Sequence, residues 1–384
     1  MPELTAIKSK LPNVGTTIFA VMSKMAQEEG AINLSQGFPD FNCDEGLRKL
    51  VAKYIDGPHN QYAPMPGMLA LREAIARKTE KLYGANYDPE TEVTVTAGAT
   101  QAIYTAIAAT IREGDEVIVF EPAYDCYVPS IELHGGKPVY VSLEPPTYKI
   151  DWSRVRKLIN SRTRMIMINT PHNPTGMIMT AADMKELQKI TAGTDIIILS
   201  DEVYEHIIFE GEQHQSVTRY PELAKRSFVI SSFGKIYHTT GWKMGYCLAP
   251  ASLSQEFRRI HQFVVFSVNT PIQLAYAEFM KQEEKYLELP AFFQKKRDIF
   301  NGLLTGSRFQ LTPAGGTYFQ LLDYSRITDE KDTDFAIRLT KEHGIASIPI
   351  SVFYHNKADH KMLRFCFAKG EQTLQEAASR LCKI

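Results

Sequence analysis

Between residues 90 and 250, short β-branched or apolar runs alternate with stretches of helical periodicity, the pattern of an α/β sheet. Val93-Thr94-Val95 reads as a strand entering Gly98-Ala99-Thr100. From Gln101 the positions Ile103, Ala106, Ile107 and Ile111 fall on one helical face, with Gly114 as the stop. Further strands are predicted at 117–120, 165–168, 196–199, 228–230 and 246–249. They run out respectively at Glu121-Pro122, Asn169-Thr170-Pro171, Asp201-Glu202, Ser231 to Lys235, and Pro250. Polar and glycine-rich clusters thus follow the carboxyl ends of strands, the edge at which open α/β sheets bind ligands.

Beyond residue 276 the pattern changes. Residues 283–301 read as a charged amphipathic helix broken by Pro290, and Gly315-Gly316-Thr317-Tyr318-Phe319 as a turn into a strand. A helix is expected over 335–343, a strand over 363–367, and a final helix from about Glu371. The predicted fold is α/β, a mainly parallel central sheet flanked by helices, with a smaller α+β domain. The large domain is placed at 36–275, and the small one at 1–35 together with 276–384.

Composition narrows the function classes. The 384 residues are 23% charged and 44% hydrophobic, ordinary for a globular protein, and the net charge of -1 gives no reason to expect nucleic acid or membrane as partner. Met1 to Thr5 lacks the charged and apolar regions of a signal peptide, and no apolar stretch approaches membrane-spanning length. The five cysteines, Cys43, Cys126, Cys247, Cys366 and Cys382, are irregularly spaced and form no CxxC. They fit neither a disulfide framework nor a zinc site, so the expected setting is the reducing cytoplasm.

The chemistry concentrates in Ser231-Ser232-Phe233-Gly234-Lys235 and, eight positions on, Lys243. A lysine closing an apolar run is placed to be desolvated, and desolvation beside a second cation keeps its amine neutral and nucleophilic. The second cation, the hydroxyls and the glycines suit a phosphate. Together they suggest pyridoxal phosphate held on Lys235. Asn173, in His172-Asn173-Pro174-Thr175-Gly176, follows one strand directly; Asp201 ends another, with Tyr204 three residues on. A carboxylate at Asp201 either caps the next element or holds a pyridinium nitrogen protonated. Arg364 stands in an apolar strand, where a bare charge is costly. It is there either in a buried ion pair or as a clamp for a ligand carboxylate.

These motifs, with Asn33 to Asp40, Tyr62-Ala63-Pro64, Asn169 to Gly176, Ser200 to Tyr204 and Arg364 in that order, resemble the class I aminotransferases of the fold-type I pyridoxal-phosphate family. Within it the chain is most similar to the branch of methionine and kynurenine–oxoglutarate aminotransferases. The resemblance implies transamination between an amino acid, methionine or an aromatic one or kynurenine, and a 2-oxo acid. It makes Lys235 the Schiff-base lysine and proton carrier and Asp201 the partner of the pyridine nitrogen. Asn173 and Tyr204 then bond the cofactor's phenolic oxygen, and Tyr124 stacks on its ring. Ala99 and Thr100 amides after Gly98, with Ser232 and Lys243, hold the phosphate at a helix N-terminus. Lys243 stands where many members carry arginine; lysine keeps the charge but not the planar fork.

By the same resemblance Arg364 and Asn173 take the substrate α-carboxylate, which Gly37 lets the backbone approach. Tyr62 reaches in from the other subunit of a homodimer. Aspartate aminotransferases use a second arginine for a side-chain carboxylate, and none is apparent here. Ile18, Phe19, Tyr62, Tyr124 and Phe353 are the candidates for an apolar side-chain pocket. A cysteine-conjugate β-lyase is the alternative reaction on this scaffold. A cofactor-sensing regulator would need a fused DNA-binding domain, for which no room is expected before Asn33.

Overall fold

A computed structural model describes residues 7–384; the Met1 to Thr5 segment read for a signal peptide lies outside the described residues. Seven strands form the main sheet: β1 (Val93–Thr96), β2 (Glu116–Glu121), β3 (Lys137–Ser142), β4 (Thr163–Asn169), β5 (Ile197–Asp201), β6 (Ser227–Ser232) and β7 (Gly245–Leu248). Their spatial order is β1-β7-β6-β5-β4-β2-β3. β7 runs antiparallel to both neighbours, and the remaining pairs are parallel. Strands β1, β2, β5, β6 and β7 are buried along their whole length, which is why β2, β5, β6 and β7 read around apolar runs; β1, Val-Thr-Val-Thr, alternates although it is buried too.

Two packed cores lie on opposite faces of this sheet. One gathers Ile103, Ile107, Val117, Val119, Met165, Leu199 and Phe228 beneath the helix Ala99–Thr110. The larger gathers Ile118, Ile166, Ile198 and Tyr246 and continues into the C-terminal part of the chain. In β2, β4, β5, β6 and β7 alternate residues go to opposite cores, as the period of two requires.

Several boundaries differ from the sequence reading. The helix begins at Ala99 rather than Gln101 and ends at Thr110; Gly114 turns the chain three residues past the cap, at φ +88°. Strand β3 is absent from the prediction: it is an edge strand, largely half-exposed, with Pro138 inside it, and so shows no apolar run. Lys235 lies in a short helix, Phe233–Ile236, where a turn was expected. The helix expected over 283–301 is interrupted beside Pro290, as read: a one-turn helix Glu284–Leu287 ends at Glu288, and Pro290 sits in the first turn of the next, Leu289–Leu303, where proline costs no hydrogen bond.

In the C-terminal part, strands Phe319–Asp323, Ile348–Pro349 and Met362–Cys366 form an antiparallel sheet, flanked by helices Asp332–His343 and Glu371–Leu381. The N-terminal helix Ile18–Glu28 packs here, and Ile32–Asn33 pairs in parallel with Ile345–Ala346. The helix Thr270–Phe279 instead packs against Glu45–Asp56 and Leu69–Tyr83. This arrangement puts Arg364 and Phe319 opposite the carboxyl ends of β4 to β6.

Candidate active site

A cavity of about 460 Å³ opens at those strand ends and is lined from both sides. Gly37, Gly98, Ala99, Thr100, Tyr124, Asn173, Asp201, Tyr204, Ser232, Lys235, Lys243 and Arg364 all reach it. Tyr62 does not. It is 82% exposed, packs edge-on against Phe266 with centroids 5.3 Å apart, and borders a separate surface cleft.

Lys235 stands on the floor. Its Nζ donates to the Gly37 carbonyl at 3.1 Å and to the Tyr318 hydroxyl at 2.9 Å. Burial lowers its pKa to about 8; Arg364 and Lys243 push the same way, against Cys366 and Asp201. At pH 7 this leaves about a tenth of the amine neutral, far more than for an exposed lysine.

Asp201 closes β5. Burial raises its pKa to about 6, opposed by a 2.6 Å hydrogen bond from the Tyr127 hydroxyl, the Val203 N–H and the charge on Lys235. No ion pair to Asp201 occurs among the described residues, so it remains a buried carboxylate without a cation in contact. Asn169, at the end of β4, ties the two strand ends together. Its side-chain N–H donates to the Asp201 carbonyl at 2.9 Å, and its oxygen accepts from the Asn173 N–H at 2.8 Å.

Arg364 is 1% exposed. One terminal nitrogen donates to Asn173 Oδ1 and the other to the Ser35 carbonyl, both at 2.8 Å, while Nε has no partner. The Phe319 ring lies under the guanidinium, 3.9 Å from centroid to Cζ. No ion pair to Arg364 is present among the described residues, which removes the buried-ion-pair reading. What remains is a desolvated cation with neutral partners only, a site that an anion completes. Gly37 is close beside it: a Cβ there would lie 2.7 Å from Phe319 Cζ, so any side chain would displace the ring.

At the other end, Gly98 caps the helix Ala99–Thr110 at φ +81°, a conformation that glycine supplies at no steric cost. No side chain caps the first turn, so its N–H groups face the cavity with the positive end of the helix dipole. Lys243, left-handed at φ 53°, brings Nζ to 3.6 Å from where a Cβ on Gly98 would stand. This corner is built for an anion.

Tyr127, Tyr318 and Phe319 were given no site role by the sequence reading, nor were Asn169 and Ser35, which it quoted only within motifs; each bonds or stacks on a residue that it named. Tyr127 follows Tyr124 by three positions, across the turn that opens the helix Tyr127–Leu133. Of the proposed apolar pocket, Phe19 and Tyr124 line the cavity. Ile18 and Phe353 border an adjoining one of about 410 Å³, which shares Thr17, Tyr124 and Asp125 with the first. Tyr62 lies away from both.

A mainly parallel sheet whose strand ends present a desolvated lysine, a buried carboxylate, an unpaired arginine and an anion corner defines a cofactor-dependent enzyme acting on amino acids. The sequence model of the aminotransferase class I and II family matches residues 29–381, and the chain belongs to that family. Methionine aminotransferase of Escherichia coli (strain K12) is 52% identical over 378 residues, covering 98% of each chain. A solved Escherichia coli structure with a methionine aminotransferase function has a TM-score of 0.97 at 50% identity, over 99% of this chain and 100% of that one. Kynurenine–oxoglutarate transaminase of Dictyostelium discoideum is 32% identical over 410 residues, 96% of this chain and 94% of that one.

The chain is thus an aminotransferase, and its cofactor is pyridoxal 5'-phosphate. The residues present fit that group: an anion corner for a phosphate, a carboxylate lacking a cation for a pyridinium, and a lysine with lowered pKa for an aldehyde.

Proposed function

We propose that this aminotransferase takes methionine, and with it other large apolar or aromatic amino acids, in exchange with a 2-oxo acid. The observation that carries the reading is Arg364, a buried guanidinium with neutral partners, across the cavity from the Lys235 amine. That pair suits a substrate with a carboxylate and a reacting carbon on one short skeleton. The cations lining the cavity are Lys235, Lys243 and Arg364. Once amine, phosphate and α-carboxylate are assigned, none is left for a side-chain carboxylate. The relatives named for methionine and kynurenine support the same choice.

When bound, the cofactor supplies a ring that withdraws electrons from the substrate α-carbon. In this reading Asp201 keeps that ring's nitrogen protonated, and Tyr127 and Val203 hold the carboxylate in place. Asn173 and Tyr204 orient the phenolic oxygen, and Tyr124 covers one face of the ring. Ser232, Lys243 and the amides of Ala99 and Thr100 bind the phosphate. Arg364 and Asn173 fix the substrate carboxylate, and the Lys235 amine takes the α-proton.

The proposal extends to a homodimer. Tyr62, Phe263, Phe266 and Ile55 are exposed apolar side chains, 82%, 85%, 52% and 51% respectively, and a second copy is the occupant that lets Tyr62 serve a neighbouring site. A cytoplasmic setting is supported by five free thiols; among the described residues no helix is long and apolar enough to cross a membrane. The division into a large domain at 36–275 and a small one at 1–35 with 276–384 is retained, with its later boundary moved past Phe279 to keep that helix whole.

The test is a visible absorption spectrum of the purified protein with pyridoxal phosphate, before and after methionine without acceptor. Bleaching by methionine, lost in a folded Lys235→Ala variant, is the expected result. A band that ignores methionine but answers to aromatic amino acids would move the substrate. Near-normal turnover by Lys235→Ala would sink the mechanism.

A further inference from the structure

Tyr318 lies outside the motifs that identify the family, yet its hydroxyl is the side-chain partner of the Lys235 amine. Lys235 Nζ donates to Tyr318 Oη at 2.9 Å and to the Gly37 carbonyl at 3.1 Å, and Tyr318 in turn donates to that carbonyl at 2.5 Å. The three atoms close a triangle. Nζ lies 5.5 Å from the ring centroids of both Tyr204 and Tyr318, and those rings stand at 87° to one another. Tyr318 is 1% exposed and packs against Phe293 and Phe319, so its hydroxyl is held where it is.

Toward Lys235 both oxygens act as acceptors, and both rings attract a cation. An ammonium gains two charge-assisted hydrogen bonds here, roughly twice as strong as those of a neutral amine. This corner therefore stabilises the charged lysine against the burial that otherwise lowers its pKa. The groups around Nζ are Asp201 from β5, Tyr204 after it, Tyr318 and Gly37, Arg364 and Cys366 from one strand, and Lys243. Burial raises the pKa of Tyr204, Tyr318 and Cys366, which keeps all three protonated where the lysine titrates.

We propose that Tyr318, together with the Gly37 carbonyl, cradles the ammonium that Lys235 becomes on taking the substrate α-proton, and is thus a positioning residue for the proton's onward delivery. The inference rests on the transamination reading above. The Cα–H bond breaks as the nitrogen lone pair forms an N–H bond, and the electron pair of the broken bond stays on the substrate. Two of the three ammonium N–H groups are then tied to Tyr318 and Gly37. The third points to the substrate side, and its proton leaves to the receiving carbon as Nζ returns to the neutral amine.

Tyr318→Phe removes the hydroxyl and keeps the ring. The first reading is the pH dependence of pyridoxal phosphate uptake by the full chain, followed by absorbance, which requires the neutral amine. Its midpoint should fall by about one pH unit relative to the native protein when one acceptor for the ammonium is lost. The second reading is the single-turnover reaction with methionine. The rate should fall about tenfold with KM nearly unchanged, and the isotope effect with α-deuterated methionine should grow, because the proton transfer has lost its alignment. Tyr318→His, with a smaller polar ring, should fall between the two on both readings, and melting curves report whether each variant is folded. An unshifted midpoint with an unchanged isotope effect, or a rise in KM alone, would overturn the proposal. A native protein that takes up no pyridoxal phosphate would instead remove the underlying functional reading, and the two failures are told apart by the wild-type control.

Discussion

Replacing Lys78 by methionine tests how the floor of the site is held. Lys78, on the helix Leu69–Tyr83, is 4% exposed and donates to Glu205 Oε1 at 2.6 Å and to the Tyr246 hydroxyl at 2.9 Å. Glu205 also accepts from Ser231 at 2.6 Å, Tyr246 at 3.0 Å and Tyr83 at 2.5 Å. One carboxylate thereby joins the residue after Tyr204, the residue before Ser232, and strand β7. Methionine preserves most of the lysine stem and its packing, so the change isolates the charge. Breaking a buried pair by removing one partner costs about 3–5 kcal/mol, because the other charge is left uncompensated. Three hydroxyl donors remain on Glu205, which places the expected loss at the low end, about 3 kcal/mol.

The pH dependence fixes the sign. Burial by itself would raise the pKa of Glu205; the charge of Lys78, with smaller help from His206 and Ser231, more than reverses this and holds it well below the usual carboxylate range. A depressed carboxyl contributes stability above its unfolded pKa and loses it as pH falls through the folded one. Without Lys78 the burial effect prevails and the folded pKa rises above the unfolded value. The variant's deficit is then largest near pH 7 and shrinks as the solution is acidified toward pH 5. Denaturant unfolding at both pH values measures this directly. A loss below about 1 kcal/mol at pH 7, or a deficit that widens on acidification, would refute the account. Adding Glu205→Gln to the variant removes the stranded charge and should recover most of the loss.

Arg364→Lys keeps the charge but loses the planar fork, and kcat/KM for methionine should fall about 100-fold; an unaltered value would take Arg364 out of substrate binding. Asp201→Ala should still retain cofactor through the anion corner, seen by absorbance, while turnover is almost lost; wild-type rates would refute the assignment of Asp201 to the ring nitrogen. If Tyr62 serves the neighbouring site, refolding Tyr62→Ala chains together with Lys235→Ala chains builds one intact site per mixed dimer. The mixture should then be more active than either variant alone, and its failure to be so would confine Tyr62 to its own chain.

What the sequence made legible follows from how each residue acts. Strands buried on both faces announce themselves as apolar runs, so β2, β4, β5 and β6 were found within one or two residues. Edge strand β3 gains its order from a single neighbour and keeps Lys137 and Pro138, which no run of apolar residues marks. Lys235, Asp201 and Asn173 were legible because strand ends and turns flag them locally. Tyr318 was not, since its hydroxyl matters only through an amine 83 positions away. Tyr127 likewise acts through Asp201, 74 positions on. For Arg364 the sequence left two readings, and only the absence of an ion pair among the described residues decides between them.

That decision has a general form in this molecule. Away from the cavity, buried Glu205 is paired with Lys78, Glu202 and Glu121 contact His214 at 2.8 Å and His355 at 2.7 Å, and Asp332 is held by the N–H and hydroxyl of Ser351. Arg364, Lys235 and Asp201, all facing the cavity, have neutral hydrogen-bond partners and no opposite charge in contact. Each such group raises the energy of the folded chain, and a fold selected for stability alone would pair or remove it. The excess is recovered when a ligand bearing the complementary charges enters, so binding is coupled to stability by mass action. The unmatched set therefore describes its ligand: an anion for Arg364, a protonated ring nitrogen for Asp201, and a carbonyl for the amine of Lys235.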